Sequence, residues 1–238
     1  MKKILTLVLS LVMVLTAACA FAGSEVQLYS TMTEADLEAL IACFNDKYPN
    51  INVKLNSEVK DLSECQADEV IIATGTTANR IPVPGIDKGI QAIDFLRGRK
   101  EVGDNVTIIG GGLTGCEIAY ELYLQGKHPT IVEMMDDLIV TPGICLANTS
   151  FLRDFFEANK VPVHLETKLA EVHDDGVTVI DKSGMKFKIA ADNVILCTGY
   201  RSAPLAEKDK HVHIVGDANK VGNLRSVIWG AWDICMKL

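Results

Sequence analysis

Glycine is missing from a long early stretch of the chain: none of its 18 glycines lies between Ser24 and Thr74. A glycine-rich turn that binds phosphate needs positive φ angles and a close approach of the main chain to the anion, and side chains obstruct both. The absence therefore excludes such a turn from residues 24–74. Any turn of this kind has to lie further along the sequence.

Positive charge and paired cysteines are also scarce. The 23 Lys and Arg residues are outnumbered by 31 Asp and Glu, the net charge is -8, and no basic stretch is interleaved with aromatic residues. This composition argues against a nucleic-acid surface. No CxxC pair and no cysteine–histidine spacing typical of a metal site occurs, so we predict neither a bound metal nor a disulfide framework. We expect Cys116 and Cys197, in or beside the predicted core, to behave as small apolar residues.

The N-terminus carries an apolar run, residues 4–22, preceded by Lys2 and Lys3. This pattern predicts a signal peptide at residues 1–22, so we expect an exported protein that meets the membrane only through this segment. Lipid attachment through Cys19 fits less well, because Thr16 stands where that motif usually has leucine. A retained anchor is a further alternative, although the run is at the short end for a bilayer. The remaining cysteines suit a reducing cytosol instead.

A glycine turn is the most informative feature that the sequence does contain. An apolar strand at residues 105–109 leads into Gly110-x-Gly112-x-x-Gly115 and then into an amphipathic helix predicted over residues 113–126. In this pattern Gly110 permits the bend, Gly112 lets the backbone approach a pyrophosphate, and Gly115 allows close packing of the helix. The anion then lies at the helix N-terminus, where free N–H groups point towards it. The alternative is a strand–helix turn that binds nothing.

An acidic residue follows at the expected distance. The next strand, residues 129–133, ends in Glu133, a position from which a carboxylate accepts hydrogen bonds from the adenosine ribose. Residues 134–137 are Met, Met, Asp and Asp, and none of them can bind a 2′-phosphate. The sequence therefore predicts an NAD(H) site that prefers NADH to NADPH.

Four motifs in order resemble flavoproteins of the pyridine nucleotide-disulfide oxidoreductase type. They are the strand and Ala-Thr-Gly turn at residues 68–75, the Ile-Pro-Val-Pro-Gly linker at 81–85, the glycine turn, and the Gly-Asp strand end at 213–218. The sequence of residues 222–232 is similar to the C-terminal part of 2-enoate reductases and 2,4-dienoyl-CoA reductases of the Old Yellow Enzyme group.

The resemblance implies an α/β fold in which a Rossmann-like NAD-binding domain, with a parallel sheet plus a β-meander, is inserted in a truncated FAD-binding domain. The NAD domain would take residues 104–200, and the FAD domain 55–103 and 201–238. The elements expected in the NAD domain are strands 105–109, 129–133, 161–165 and 194–197, helices 113–126 and 149–157, and a meander of 169–173, 176–181 and 186–189.

The resemblance also implies an enzyme that passes hydride from NADH to FAD and on to an unknown electron acceptor. Gly110, Gly112, Thr114 and Gly115 would hold the NADH pyrophosphate, and Glu117 would lie towards the nicotinamide. Residues implied for FAD and for the end of the NAD domain are Thr74, Gly75, Gly199, Gly216 and Asp217. Two of these carboxylates have an alternative to cofactor binding. The helix dipole alone favours a glutamate such as Glu117 in the first turn, and Asp217 could cap the last helix. No catalytic residue is assigned, and a homo-oligomer is left open.

Residues 23–54 point elsewhere. Their strand–helix–strand pattern, with Tyr29 and Ser30 in the opening strand, resembles the start of periplasmic iron-binding proteins of ABC transporters. One alternative function is therefore an exported solute- or iron-binding protein. Another is an NADH-binding chain without turnover, because the first glycine turn of the FAD domain is missing from residues 24–74.

Overall fold

The computed structural model describes residues 58–238 apart from 66, 141 and 142, together with residues 38, 41, 42 and 46. The predicted signal peptide and nearly all of the segment that resembles an iron-binding protein, including Tyr29 and Ser30, lie outside the described residues. Within the described part, no helix combines the length and the apolar character that crossing a bilayer requires.

Strands and helices alternate between residues 90 and 164, and strands predominate on either side of that range. The helices are α1 (Ala92–Leu96), α2 (Leu113–Leu124), α3 (Leu146–Ala158) and α4 (Leu224–Cys235). The strands are β1 (Val70–Ile72), β2 (Thr76–Ala78), β3 (Ile90–Gln91), β4 (Asn105–Ile109), β5 (His128–Val132), β6 (Val163–His164), β7 (Lys168–His173), β8 (Gly176–Ile180), β9 (Lys186–Ala190), β10 (Asn193–Leu196), β11 (Tyr200–Ser202) and β12 (Val212–Ile214). They belong to two compact units, of which the second, Ala78–Gly199, interrupts the first.

The second unit has three layers around a parallel sheet. The sheet order is β3-β10-β4-β5-β6, and every neighbouring pair is parallel. Because side chains alternate along a strand, Val106 and Ile108 pack with helices α2 and α3, whereas Ile109 packs with the antiparallel meander β7-β8-β9. Both faces of the central strands are therefore buried, which explains their continuous run of apolar residues. The predicted α/β fold with a parallel sheet is confirmed.

Several element limits differ from the predicted ones for local reasons. Helix α2 ends at Leu124 rather than 126, because Gly126 takes a φ of +80° and the N–H of Lys127 donates to the carbonyl of Leu122 at 3.0 Å. Helix α3 begins at Leu146 instead of 149, and the strand expected at 161–165 is only Val163–His164.

Strand β3 was not predicted from the sequence. Ile90 and Gln91 pair with Ile195 and Leu196 at the edge of the parallel sheet. This pairing places residues 78–103 in the second unit, whereas the sequence assigned 55–103 to the FAD domain.

The first unit is built on the parallel pair β1 and β12. Ile72, Ile214 and Ala218 form its small core. Helix α4 begins with a capping box, in which Asn223 Oδ1 accepts from the Ser226 N–H at 3.1 Å and Ser226 Oγ accepts from the Asn223 N–H at 3.0 Å.

Candidate dinucleotide site

The three predicted turn glycines differ in how strongly their surroundings require the absence of a side chain. Gly110 has a φ of +108°, and a Cβ there would lie 2.3 Å from the carbonyl oxygen of Cys197. A Cβ on Gly115 would lie 1.9 Å from the carbonyl oxygen of Gly110. Gly112 has an ordinary φ of -69°, and a Cβ there would meet nothing within 4 Å. Packing therefore requires Gly110 and Gly115, while Gly112 borders open space of the kind that a bound group can occupy.

Helix α2 presents its N-terminus at that open space. Gly112 is the N-cap residue, and no side chain caps it. The first N–H groups of a helix have no partner within the helix, so an anion placed here accepts from them and from the positive end of the helix dipole. Thr114 is half-buried in this first turn, and Glu117 is exposed one turn further on.

Glu133 lies directly after β5 and is buried, with 7% of its surface exposed. Its Oε2 accepts from the Gly111 N–H at 2.5 Å and its Oε1 from the Met135 N–H at 2.8 Å. A carboxylate has about four acceptor positions, so each oxygen keeps capacity for a ribose hydroxyl. The residues present thus fit the adenosine ribose.

Gly111 was missed as a site residue, although the triple glycine at 110–112 carried the signal. A Cβ on Gly111 would lie 2.5 Å from Leu138 Cδ2 and 3.0 Å from Glu133 Cβ. Its carbonyl oxygen accepts from the Ile139 N–H at 2.8 Å. Gly111 therefore joins the phosphate turn to the segment that follows β5.

A cation lies close to that segment, contrary to what its sequence indicates. Arg153 of α3 donates through Nε to Asp137 Oδ1 at 3.0 Å, its Nη2 lies 3.0 Å from Asp137 Oδ2 as an ion pair, and Nη2 donates to the Leu138 carbonyl. The guanidinium holds the pKa of Asp137 below its usual range. Because this pairing is bidentate, Arg153 is already engaged.

Two thiols adjoin the turn: Cys116 is buried and Cys197 is half-buried. Cys116 Sγ donates to the Gly111 carbonyl at 3.3 Å. Burial raises the pKa of Cys116 and of Cys197 to about 12. Both thiols therefore remain protonated near neutral pH and pack with the apolar core. The described residues include no group of His, Cys, Asp and Glu arranged to hold a metal ion.

The residues implied for FAD follow two neighbouring strands of the first unit. Because β1 and β12 are parallel, Thr74 and Gly75 lie at the same sheet edge as Gly216 and Asp217. Thr74 Oγ1 donates to the Ala203 carbonyl at 3.1 Å, and Gly75 and Gly216 have φ angles of +78° and +59°.

Asp217 does not cap the last helix. Asn223 occupies the cap position of α4, and Asp217 Oδ1 accepts from the Gly222 N–H at 3.1 Å. The capping alternative raised from the sequence is therefore wrong. In the second unit, Gly199 has a φ of +79° and its carbonyl accepts from the Asn79 N–H at 3.0 Å.

This geometry agrees with a comparison to known families. The family profile described as Pyridine nucleotide-disulphide oxidoreductase matches residues 21–221. The chain belongs to this family. Its members use NAD(H) and FAD. The match runs through residues 23–54, and the resemblance of that segment to an ABC-transporter binding protein is not supported.

Among curated relatives, cinnamate reductase of Clostridium sporogenes is 37% identical over 200 residues, 79% of this chain and 29% of the relative. NADH oxidase of Thermoanaerobacter brockii is 26% identical over 196 residues, 77% of this chain and 30% of the relative. A solved complex of 2-naphthoyl-CoA reductase superposes with a TM-score of 0.70 at 26% identity, covering 86% of this chain and 32% of that chain. The chain thus spans less than a third of the length of each of these oxidoreductases.

Proposed function

We propose that this chain binds NADH at the glycine turn and serves an oxidoreductase that passes hydride through FAD to an acceptor. The observation that carries the proposal is Gly112, whose Cβ position is open although the neighbouring turn glycines are tightly packed. A residue with a side chain could adopt the backbone conformation of Gly112, so the backbone alone does not require glycine there. Because uncapped helix N–H groups lie next to this position, a bound phosphate is the favoured reason for glycine.

The roles of the chain's own residues follow from their positions. The N–H groups at the start of α2, with Thr114, bind the pyrophosphate, and Glu133 orients the ribose. Glu117 faces the nicotinamide end. When bound, NADH supplies the hydride and FAD accepts it. Thr74, Gly75, Gly216 and Asp217 contact the flavin cofactor from the shared edge of β1 and β12.

We assign the coenzyme preference to NADH. Residues 134–137 contain two carboxylates and no cation, and Arg153 is held by Asp137. A 2′-phosphate placed near them would be repelled by the carboxylates of Asp136 and Asp137, whereas an uncharged 2′-hydroxyl would not.

The acceptor is proposed from the relatives' names. Cinnamate reductase and 2-naphthoyl-CoA reductase name an unsaturated acid and an aromatic thioester as what those proteins reduce. We therefore assign an unsaturated carboxylate or thioester to this chain's activity, and loss of cinnamate absorbance with NADH is the first assay.

The test uses the full chain. Its visible spectrum is recorded as purified and after FAD addition, and NADH oxidation is followed with and without FAD. We expect NADH binding in the micromolar range and oxidation that FAD stimulates. NADH binding with no flavin spectrum and no FAD-stimulated rate would leave an NADH-binding chain without turnover, and absence of NADH binding would reject the proposal.

Export is part of the proposal. The charged start and apolar run of residues 2–22 favour cleavage after Ala22. The mass of the chain recovered from a secreting host is expected to correspond to a mature N-terminus at Gly23, and a full-length mass would contradict this.

A further inference from the structure

An open cavity of about 580 Å³ lies beside the end of β5. Met134, Met135 and Asp136 form one side, directly after the ribose-binding candidate Glu133. The other side comes from the meander and the segment before it, through Glu166, Lys168, Asp181 and Lys182. Residues 134–137 contain no cation, but the fold places Lys168 and Lys182 beside them in this cavity.

Backbone hydrogen bonds hold the second side against the first. The N–H of Thr167 donates to the Glu133 carbonyl at 2.9 Å, and the N–H of Glu166 donates to the Met135 carbonyl at 2.8 Å. Glu166 has a φ of +49°, an uncommon value for a residue with a side chain. The position of Glu166 next to the ribose end of the site is thus set by the main chain.

The charges of this cavity are partly neutralised. Lys182 Nζ lies 2.5 Å from Glu166 Oε2. Asp181 Oδ1 accepts from the N–H groups of Ser183 and Met185, which closes the hairpin between β8 and β9. No carboxylate in the described part of the chain pairs with Lys168. Lys168 and Asp136 both line the cavity without an ion pair in the described part of the chain, while the second cation, Lys182, is held by Glu166.

We infer that Glu166 determines coenzyme selectivity by holding Lys182, so that the cavity accepts a ribose 2′-hydroxyl and disfavours a 2′-phosphate. A phosphate monoester carries between one and two negative charges near neutral pH and needs charge-assisted donors. With Lys182 released, Lys182 and Lys168 would supply two such donors. This inference rests on the proposed NADH site and identifies a positioning residue within it.

The test measures binding to the full chain by calorimetry, with ADP-ribose and its 2′-phosphorylated form as probes. We expect wild type to prefer ADP-ribose, and Glu166→Gln to shift the ratio of the two dissociation constants about tenfold towards the 2′-phosphate. Adding Lys182→Met to Glu166→Gln should remove that gain, because the released ammonium is its source.

A matched control exists on the same meander. Lys188 Nζ lies 2.6 Å from Asp175 Oδ2, and neither residue lines the cavity. Asp175→Asn releases a lysine in the same way and should leave the ratio unchanged. The inference is overturned if Glu166→Gln keeps the wild-type ratio, if the double variant keeps the gain, or if Asp175→Asn produces the same shift. If wild type binds neither probe, the NADH site itself is wrong and the inference falls with it, a result distinct from the other three.

Discussion

At the residue scale, Gly112 and Gly115 separate ligand binding from folding. Gly112→Ala is expected to cost at most about 1 kcal/mol of stability, because its φ suits alanine and its Cβ position is open. It should still weaken NADH binding at least tenfold, since the methyl group fills the space next to the phosphate.

Gly115→Ala should instead cost about 3 kcal/mol or more of stability, because its Cβ would overlap the Gly110 carbonyl. Chemical denaturation and NADH titration measure both effects, and equal affinities for wild type and Gly112→Ala would contradict the site.

Glu133 is expected to contribute to both NADH binding and stability. Glu133→Ala should weaken NADH binding because the ribose acceptor is lost. We expect the fold to survive this change at a cost of about 1–3 kcal/mol, because the buried Gly111 N–H and the part-buried Met135 N–H lose their acceptor. Glu133→Gln retains one acceptor oxygen and is expected to lose less stability. An unchanged dissociation constant in Glu133→Ala would show that the carboxylate does not contact the ribose.

At the element scale, the pairing of β1 with β12 should depend on pH. Glu69 Oε1 lies 2.9 Å from His211 Nδ1 and its Oε2 lies 2.8 Å from His213 Nε2. The hydrogen bond with Glu69 raises the pKa of His211, to which the charges of Asp209 and Asp68 add, and the hydrogen bonds with the two histidines lower the pKa of Glu69.

The direction in which stability changes with pH follows from the raised pKa of His211 and the lowered pKa of Glu69. The histidine contribution is complete below its ordinary value of about 6.5 and is lost as pH rises through the raised pKa. The glutamate contribution is present above about 4.5 and is lost as pH falls through the lowered pKa. The first unit should therefore be most stable between about pH 4.5 and 6.5 with respect to this cluster. Trp229 and Trp232, the two tryptophans of the chain, both lie in α4 and report on this unit by fluorescence. A Tm that falls from pH 6 to pH 8 in wild type should fall less in His211→Gln, and equal slopes would exclude the cluster as the cause.

The elements that carry the site were predictable where local signals decide them. The apolar run before Gly110 and the glycines themselves located β4 and the start of α2, and the predicted meander at 169–189 located β7, β8 and β9 to within one residue at each end. Strand β3 has two residues and no periodic pattern, so only its pairing with β10 reveals it. The approach of Glu166 and Lys182 to Met135 depends on tertiary contacts between distant segments. A single sequence does not contain that information in any local pattern.

At the scale of the whole molecule, the second unit has the features of an independent domain. It contains both faces of the parallel sheet and their two apolar clusters. The chain begins and ends this unit at neighbouring points, since the Asn79 N–H donates to the Gly199 carbonyl at 3.0 Å and Thr198 Oγ1 donates to the Asn79 carbonyl at 2.8 Å. Closely spaced ends are typical of a domain inserted into another.

We therefore expect a fragment of residues 78–199 to fold alone and to bind NADH with the affinity of the full chain. All residues assigned to the pyrophosphate and the ribose lie within it, whereas those assigned to FAD at positions 74, 75, 216 and 217 do not. Circular dichroism and NADH titration of the fragment test the first statement, and FAD titration of fragment and full chain tests the second. A fragment that folds cooperatively but binds NADH much more weakly than the full chain would mean that the NADH site needs residues outside 78–199, and the assignment of Gly112 and Glu133 as sufficient contacts would then be wrong.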